Sequence, residues 1–474
     1  MQKTRKEISR ESILLQTNIC NKLAMHFCAG GKKPLALVDT YGCQQNVSDS
    51  ECLRGYLSEM GFEFTQDEFK ADVIVINTCA IREHAEMRVL GNVGNLNHTK
   101  KANPNQIIAL CGCMVQQENM SKKIKKSYTA VDFVFGPHDL WRFPELLQRN
   151  IQEKCRIFEY TDCESVIAEA VPRVRDGYPK AWVSVMYGCN NFCSYCVVPF
   201  VRGRERSRRP EEIVAETKDL VAQGYKDITL LGQNVNSYGK DLDCGIDFSD
   251  LLCLINDIPG DFVIRFMTSH PKDAGEKLFR TMAKCEKCAR HLHLPAQSGS
   301  SRVLAAMNRG YTRGEYLEKI NLARSLMPGL VVTTDIIVGF PGETDEEFEE
   351  TLSLVEQAQY DAMFTFIFSP REGTKAAKMP DDATRQDKQR RFDALIEVSN
   401  RISLKKHQDY IGQALRVLVD GEREKGSIDE YTLSGRTNGG RLVHLKGDKE
   451  LIGSFTQVKI VSCSTWALFG ETDI

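Results

Sequence analysis

The sequence predicts a multidomain α/β protein: an N-terminal parallel α/β sheet domain, a central open (β/α)6 barrel, and a small all-β, OB-like barrel at the end. Two observations carry the first two assignments. Short apolar runs alternate with helix-compatible segments up to about residue 150, and again, six times, between residues 181 and 406. That alternation is the pattern of parallel sheets covered by helices. A third observation carries the last: from residue 407 onward the pattern becomes five short strands with Gly-rich turns, which suits a small barrel.

Composition allows this. The chain has 474 residues, 42% apolar and 27% charged, enough for several cores and unlike a disordered protein. Lys plus Arg number 62 against 64 Asp plus Glu, a net charge of −2. This excludes a surface coated everywhere by nucleic acid, but not a local basic patch. No apolar run approaches the ~18 residues of a membrane span. The basic start, Met1 to Arg10, leads into a stretch broken by Gln16, Asn18, Asn21 and Lys22, unlike a signal peptide. A cytoplasmic protein without membrane contact is expected.

In the first domain, residues 34–150, strands are expected at Leu35–Val38, Val73–Ile76, Ile107–Leu110 and Val131–Phe135. The continuous β-branched run at 73–76 suits a strand buried on both faces. A helix is expected from Ser48 to Met60, capped by Ser48 or Asp49 and stopped by Gly61, and another from Ile81 to about Leu90. Residues 1–33 form an extension and 151–180 a connection. In the second domain, 181–406, strands are expected at 182–186, 228–231, 262–266, 291–294, 330–338 and 363–368. Thr344 with Glu347 forms a capping box. Six units fall short of the eight of a closed barrel, and functional groups gather where such strands end.

The 17 cysteines are the outlier. In a long chain without an export signal, cysteine more often serves metal or catalysis than disulfides. Cys20, Cys28, Cys155, Cys163, Cys244 and Cys463 lack metal-type neighbours at short spacing and suit ordinary packing. Cys43, Cys79 and Cys113 each stand just past the C-terminal end of an expected strand, the edge where open α/β sheets bind ligands. Either they converge on a shared metal site or they are unrelated loop cysteines. Cys189, Cys193 and Cys196 form a C-x3-C-x2-C loop directly after the first barrel strand. Three thiolates on a tight loop suit an iron–sulfur cluster with one iron left open; the alternative is a zinc knuckle short of a ligand. Cys285 and Cys288, followed by His291 and His293, are read as an incidental grouping.

The C-x3-C-x2-C loop after the first strand of a six-unit barrel resembles the radical S-adenosylmethionine (SAM) enzymes. The segments Thr40–Asn46, Asn77–Cys79 and Gly112–Met114 resemble the N-terminal domain of the methylthiotransferases. The likeness continues through Gly188–Asn190, Cys196–Pro199 with Arg202-Gly203, Leu231–Asn236, Leu294–Gly299 and Ile337–Glu343. Gln233–Tyr238 and Phe368–Thr374 resemble the branch acting on N6-isopentenyladenosine in tRNA. Gln44-Gln45-Asn46 replaces the family's frequent Gln-Met-Asn. The C-terminal domain, 407–474, resembles the TRAM domain appended to this family.

The resemblance implies two [4Fe–4S] clusters, one on Cys189, Cys193 and Cys196 that binds SAM, and an auxiliary one on Cys43, Cys79 and Cys113. It implies insertion of a methylthio group at C2 of N6-isopentenyladenosine beside the anticodon. One SAM would give the methyl group and another the 5′-deoxyadenosyl radical. The partners are then tRNA carrying that nucleoside and an electron donor, and a monomer is expected. The alternatives are a methylthiotransferase acting on threonylcarbamoyladenosine or a ribosomal protein side chain, and a non-enzymatic iron–sulfur redox protein. SAM contacts are expected at Tyr195, Gly232, Gln233, Ser298 and Asp335, and no catalytic group beyond the cluster ligands. Arg202, Arg204, Arg206, Arg208 and Arg209 form a basic run beside the cluster loop and are expected to position RNA phosphate. Arg436 and Arg441, flanking the Thr437–Gly440 turn, are expected to do the same, although residues 410–470 hold eight Lys/Arg against seven Asp/Glu.

Overall fold

The computed structural model describes residues 6–29, 31–80, 83–160, 166–423 and 431–472; Ile81 and Cys163 lie outside them. The chain forms two compact units, one of Met1–Asp176, Met186–Asn190 and Val197–Arg208, the other of Gly177–Val185, Asn191–Cys196 and Arg209–Ile474.

The first unit is built on a six-stranded, fully parallel sheet in the order Glu63–Phe64, Leu35–Thr40, Val73–Thr78, Ile107–Gly112, Phe133–Phe135, Ile157–Glu159. The four expected strands form its centre. The short edge strands at 63–64 and 157–159 carry too few apolar residues to stand out in the sequence, and the last extends the sheet past residue 150. Alternate residues feed opposite faces. Val73, Val75, Ala109, Phe133 and Phe135 pack against Leu53, Tyr56, Leu57, Leu146 and Leu147. Ile74, Ile76, Ile108, Leu110 and Val134 pack against Val89, Leu90, Val93 and Ile124. Each such side chain, fully buried, contributes about 1.5–3 kcal/mol, so a charge at Ile74 would break the unit.

Three local expectations are revised. The helix after the first strand is Gln44–Glu59, with Cys43 at its N-cap, so Ser48 and Asp49 lie inside it and are buried. The next helix runs from Glu83 to Ala102, well beyond Leu90. The extension holds the helix Arg10–Cys28, which Ser9 caps by accepting from the Ser12 N–H at 3.2 Å. Ile13, Gln16, Ile19, Cys20 and Leu23 form its buried stripe. Of the polar residues that spoil a signal peptide, Asn18, Asn21 and Lys22 lie on the outer face of an amphipathic helix, while Gln16 is buried and bonds Glu145.

In the second unit, six parallel strands make the half-barrel. Lys180–Ser184, Asp227–Leu231 and Val263–Phe266 form one sheet. His291–His293, Val331–Val338 and Ala362–Ile367 form the other. The fourth strand is three residues long, and an isolated bridge, Ile264 with Cys288, joins the two sheets. Helices stand between the strands, and the capping box at Thr344 forms as expected, with Glu347 N–H on Thr344 Oγ1 at 3.3 Å. The helix Arg385–Gln408 leads into a closed five-stranded barrel in the order Ala414–Glu422, Leu433–Thr437, Leu442–Lys446, Leu468–Thr472, Phe455–Cys463. Val417, Val419, Leu433, Val443, Leu445, Val458, Ile460 and Leu468 fill it.

The Thr437–Gly440 turn plugs the end of the half-barrel where its strands begin. Arg265 donates to the carbonyls of Asn438 and Thr437, each at 2.8 Å, and the Arg290 N–H donates to Asn438 Oδ1 at 2.7 Å. Gly439 lies so close to Val331 that a Cβ there would stand 2.6 Å from its Cγ2. Arg441 is 7% exposed and bound to Asp361, so the expectation that it meets RNA phosphate is corrected: its charge joins the small barrel to the larger one. Arg436 keeps part of its surface and stands 3.7 Å from Asp420.

Candidate functional site

Two sets of cysteines define the chemistry. In the first unit, three strand ends bring Cys43, Cys79 and Cys113 to one edge. The Cys113 N–H donates to Thr78 O at 2.9 Å, fixing the second and third loops together. Gly42, at φ +132°, lets the first loop lie against the second, for a Cβ there would stand 2.6 Å from Cys79 Cβ. Asn46 locks this arrangement. Its Nδ2 donates to Asn77 Oδ1 and Thr78 O at 3.0 and 2.9 Å, while its Oδ1 accepts from Cys43 Sγ at 3.3 Å. Burial pushes the Cys113 thiol up to about 12, opposed by the Arg202 charge, with Cys43 and Cys79 close enough to raise it further.

Among the described residues, no three His, Cys, Asp or Glu side chains close on one ion-sized point. The donor set, three thiols brought to one sheet edge, suits a cluster, where each cysteine binds a different iron. The donor set and the apolar wall of Ala80, Val197 and Val201 around Cys113 fit such a group.

The arginine run is corrected in part. Arg202, Arg206 and Arg208 are 4%, 4% and 5% exposed and do not face RNA. Arg202 donates from Nε to Cys113 Sγ at 2.9 Å and pairs with Asp49 at 2.7 Å. Arg206 donates to the carbonyls of Val166 and Arg202 at 2.7 and 2.8 Å. Arg208 pairs with Glu169 at 2.7 Å. Arg206 lies in a two-stranded ribbon of Met186–Tyr187 with Arg206–Ser207, while Arg202 caps the short helix Val198–Val201 and Arg208 follows the ribbon. Arg204 and Arg209 stay exposed.

The second set follows the first barrel strand. In the first unit, the Cys189 N–H donates to Gly203 O at 3.1 Å, and Gly188, at φ +76°, leaves no space for a side chain beside the Arg204 carbonyl. In the second unit, Cys193 and Cys196 share one turn, with Cys196 N–H on Cys193 O at 3.0 Å. Ser194 ties that turn to both neighbours: its N–H donates to Met307 O at 3.0 Å, and its carbonyl accepts from the Ala376 N–H at 2.8 Å. Covalent spacing keeps Cys189 within four residues of Cys193. Arg309 donates from Nη1 to Cys193 Sγ at 3.4 Å and from Nη2 to Pro295 O at 2.9 Å, with Nε on the Tyr311 hydroxyl at 2.9 Å.

The expected SAM contacts separate. Tyr195 packs on Val303, Met307, Phe340 and Phe368 at the strand ends. Gly232 and Gln233 end the second strand, and the Gly232 carbonyl accepts from Thr268 Oγ1 at 2.8 Å. Asp335 lies on the fifth strand, 3.6 Å from His293. Ser298 is 1% exposed, accepts from the Ser300 N–H at 3.2 Å, and stands 3.5 Å from Thr351. Its neighbour Gln297, at φ +72°, carries a buried Oε1 with no hydrogen-bond partner, as do His270 Nε2 and Asn234 Oδ1. These three polar groups and Arg309 were missed as side-chain roles. For Asn234, His270 and Gln297 the strand-end position was the signal available; Arg309 lies in the loop after the helix Ser301–Ala306. His291 and His293 both meet Thr333 Oγ1, at 2.9 and 3.0 Å, rather than the buried thiols of Cys285 and Cys288.

The chain is similar to known proteins over nearly its whole length. Residues 183–355 match the radical SAM superfamily, 36–136 the uncharacterized protein family UPF0004, and 408–472 the TRAM domain. A tRNA-2-methylthio-N(6)-dimethylallyladenosine synthase from Thermoanaerobacter sp. (strain X514) is 47% identical, covering 98% of both chains. The enzyme of the same name from Alkaliphilus oremlandii is 48% identical over 98% of both. The chain belongs to the tRNA-2-methylthio-N(6)-dimethylallyladenosine synthase family. A Clostridium botulinum member of this family is 49% identical, over 92% of this chain and 96% of its own. Among solved structures, the radical S-adenosylmethionine methyltransferase TsrM from Kitasatospora setae matches with a TM-score of 0.55 at 14% identity, over 73% of this chain and 75% of its own. At that identity the likeness concerns the fold. Among the described residues, no helix is long and apolar enough to cross a membrane.

Proposed function

We infer that this chain inserts a methylthio group at C2 of N6-isopentenyladenosine next to the anticodon of tRNA. One SAM is the methyl donor and a second is the source of the 5′-deoxyadenosyl radical. The observation that carries this is the pair of separate three-cysteine sets, each with a buried arginine aimed at one sulfur. Closed electron-transfer clusters use four protein ligands; a three-ligand set leaves an iron free for substrate, which disfavours the redox-protein reading.

When bound, one [4Fe–4S] cluster delivers the electron that splits the sulfonium of SAM, and the other holds the sulfur to be inserted. The chain supplies placement and dryness. Cys189, Cys193 and Cys196 are the ligands on the SAM side. Tyr195 with Met307, Phe340 and Phe368 forms the apolar wall beside them, excluding water from a reactive carbon-centred radical. Gln297 and Asn234 offer buried acceptors at the strand ends. Cys43, Cys79 and Cys113 are the ligands on the sulfur side. The working division is 34–150, 181–406 and 407–474, in a cytoplasmic monomer served by an external electron donor.

The test is anaerobic reconstitution with iron, sulfide, SAM, a low-potential reductant and isopentenylated tRNA, followed by mass analysis of nucleosides. The 2-methylthio derivative is expected. Product only from threonylcarbamoylated tRNA, or only from a ribosomal protein, would overturn the assignment.

A further inference from the structure

Arg202 reaches Cys113 from a distant part of the chain. Its Nε donates to Cys113 Sγ at 2.9 Å, and its outer nitrogen pairs with Asp49 at 2.7 Å. Asp49 is held in turn by Gln45 Nε2 at 3.2 Å. Arg202 is nearly inaccessible, and Ala80, Val197 and Val201 surround Cys113. A charge in such a place is weakly screened. Burying it has a cost that a surface phosphate contact would not explain.

The other cysteine set has a similar donor with a different setting. Arg309 reaches Cys193, but its other partners among the described residues are the neutral Tyr311 hydroxyl and Pro295 carbonyl. Of the two, Arg202 has a carboxylate mate, Asp49, among the described residues. The arrangement at Cys113 is therefore a donor and a counter-charge held together, the kind of surrounding that sets the properties of a metal-bound sulfur.

We propose that Arg202, with Asp49 as its counter-charge, is a positioning residue of the auxiliary cluster: it fixes where Cys113 stands and raises the potential at which that cluster accepts an electron. This rests on the reading of Cys43, Cys79 and Cys113 as cluster ligands. Reduction adds one electron from an external low-potential reductant and adds negative charge. A guanidinium beside a ligand sulfur stabilises that reduced state, and the Asp49 carboxylate opposes it.

The experiment uses the full chain with Cys189, Cys193 and Cys196 replaced by Ala, so that only the auxiliary cluster can form. Anaerobic reconstitution comes first, with an expected content of about four irons per chain. Redox titration with dithionite, followed by visible absorbance and electron paramagnetic resonance, then reads the midpoint. Arg202→Gln is expected to lower the reduced-to-oxidised ratio at fixed potential at least tenfold, about 59 mV for one electron. Arg202→Lys is expected to recover part of this, and Asp49→Asn to shift the midpoint the opposite way. A merely structural role would not reverse sign between Arg202→Gln and Asp49→Asn. Midpoints unmoved in both, or moved in the same direction, overturn the proposal. If Arg202→Gln takes up no iron, Asp49→Asn decides alone: a higher midpoint supports the role and an unmoved or lower one overturns it. A parent chain without iron instead overturns the cluster reading on which the proposal rests.

Discussion

Cys43 and Cys113 are 70 positions apart and reach one edge through three strands of a parallel sheet, whereas Cys193 and Cys196 share a single turn with Cys189 four residues upstream. The first set is held by long-range contacts: an asparagine clasp, a crowded glycine and buried ion pairs. The turn is held by backbone hydrogen bonds to Met307 and Ala376. The difference teaches that a compact motif can be placed by local geometry, while a dispersed one needs the whole domain folded around it. Of the arginine run, Arg202 braces the dispersed set directly, and Arg206 holds the Arg202 carbonyl.

The strongest way to break this comparison is to remove each set whole. Replacing Cys189, Cys193 and Cys196 by Ala is expected to abolish 5′-deoxyadenosine formation. Replacing Cys43, Cys79 and Cys113 is expected to leave some uncoupled SAM cleavage but no methylthio product, with about half of the roughly eight irons lost. Chromatography of both products and an iron assay check this. Methylthioadenosine from the second variant, or SAM cleavage by the first, would show the roles are misassigned.

The next largest effect falls on the braces. Arg208→Ala takes the charged mate from a partly exposed Glu169 and is expected to destabilise the first unit by about 1.5–3 kcal/mol. Asn308, which donates to the Asn191 and Phe192 carbonyls at 3.2 and 2.9 Å, braces the cluster turn at its surface. Asn308→Ala is expected to cost only about 1–2 kcal/mol. Denaturant titration with a probe in each unit separates them; equal losses would mean the two sets are braced alike.

A smaller effect is expected at the plug. Gly439→Val forces atoms against Val331 and is expected to cost about 1–3 kcal/mol in the second unit, leaving the first unchanged. Differential scanning calorimetry reads this as a shift confined to one transition.

The smallest concerns RNA. Arg204→Gln with Arg209→Gln removes at most two phosphate contacts, so the salt dependence of tRNA binding is expected to flatten by less than about 2 in the log–log slope. Adding Arg208→Gln should change stability rather than that slope. A further flattening would return Arg208 to the RNA surface.

Sequence alone determined the local features. The strand at 73–78, the C-x3-C-x2-C turn, the Thr344 capping box and the five strands of the small barrel each follow from residues near one another, where periodicity and turn chemistry act. The addresses of Cys43, Cys79 and Cys113 were also legible, because each strand end is a local signal. What the tertiary structure decided is which charges point inward. Arg202, Arg206 and Arg208 read as a solvated or RNA-facing run, yet Cys113 and Asp49, the Val166 carbonyl, and Glu169 claim them inside the unit. Arg441 reads as a loop cation, yet the turn beside it plugs the larger barrel and Asp361 waits in the wall. A side chain's partner is fixed by through-space packing of residues far apart in sequence, and charge count or spacing carries no record of it.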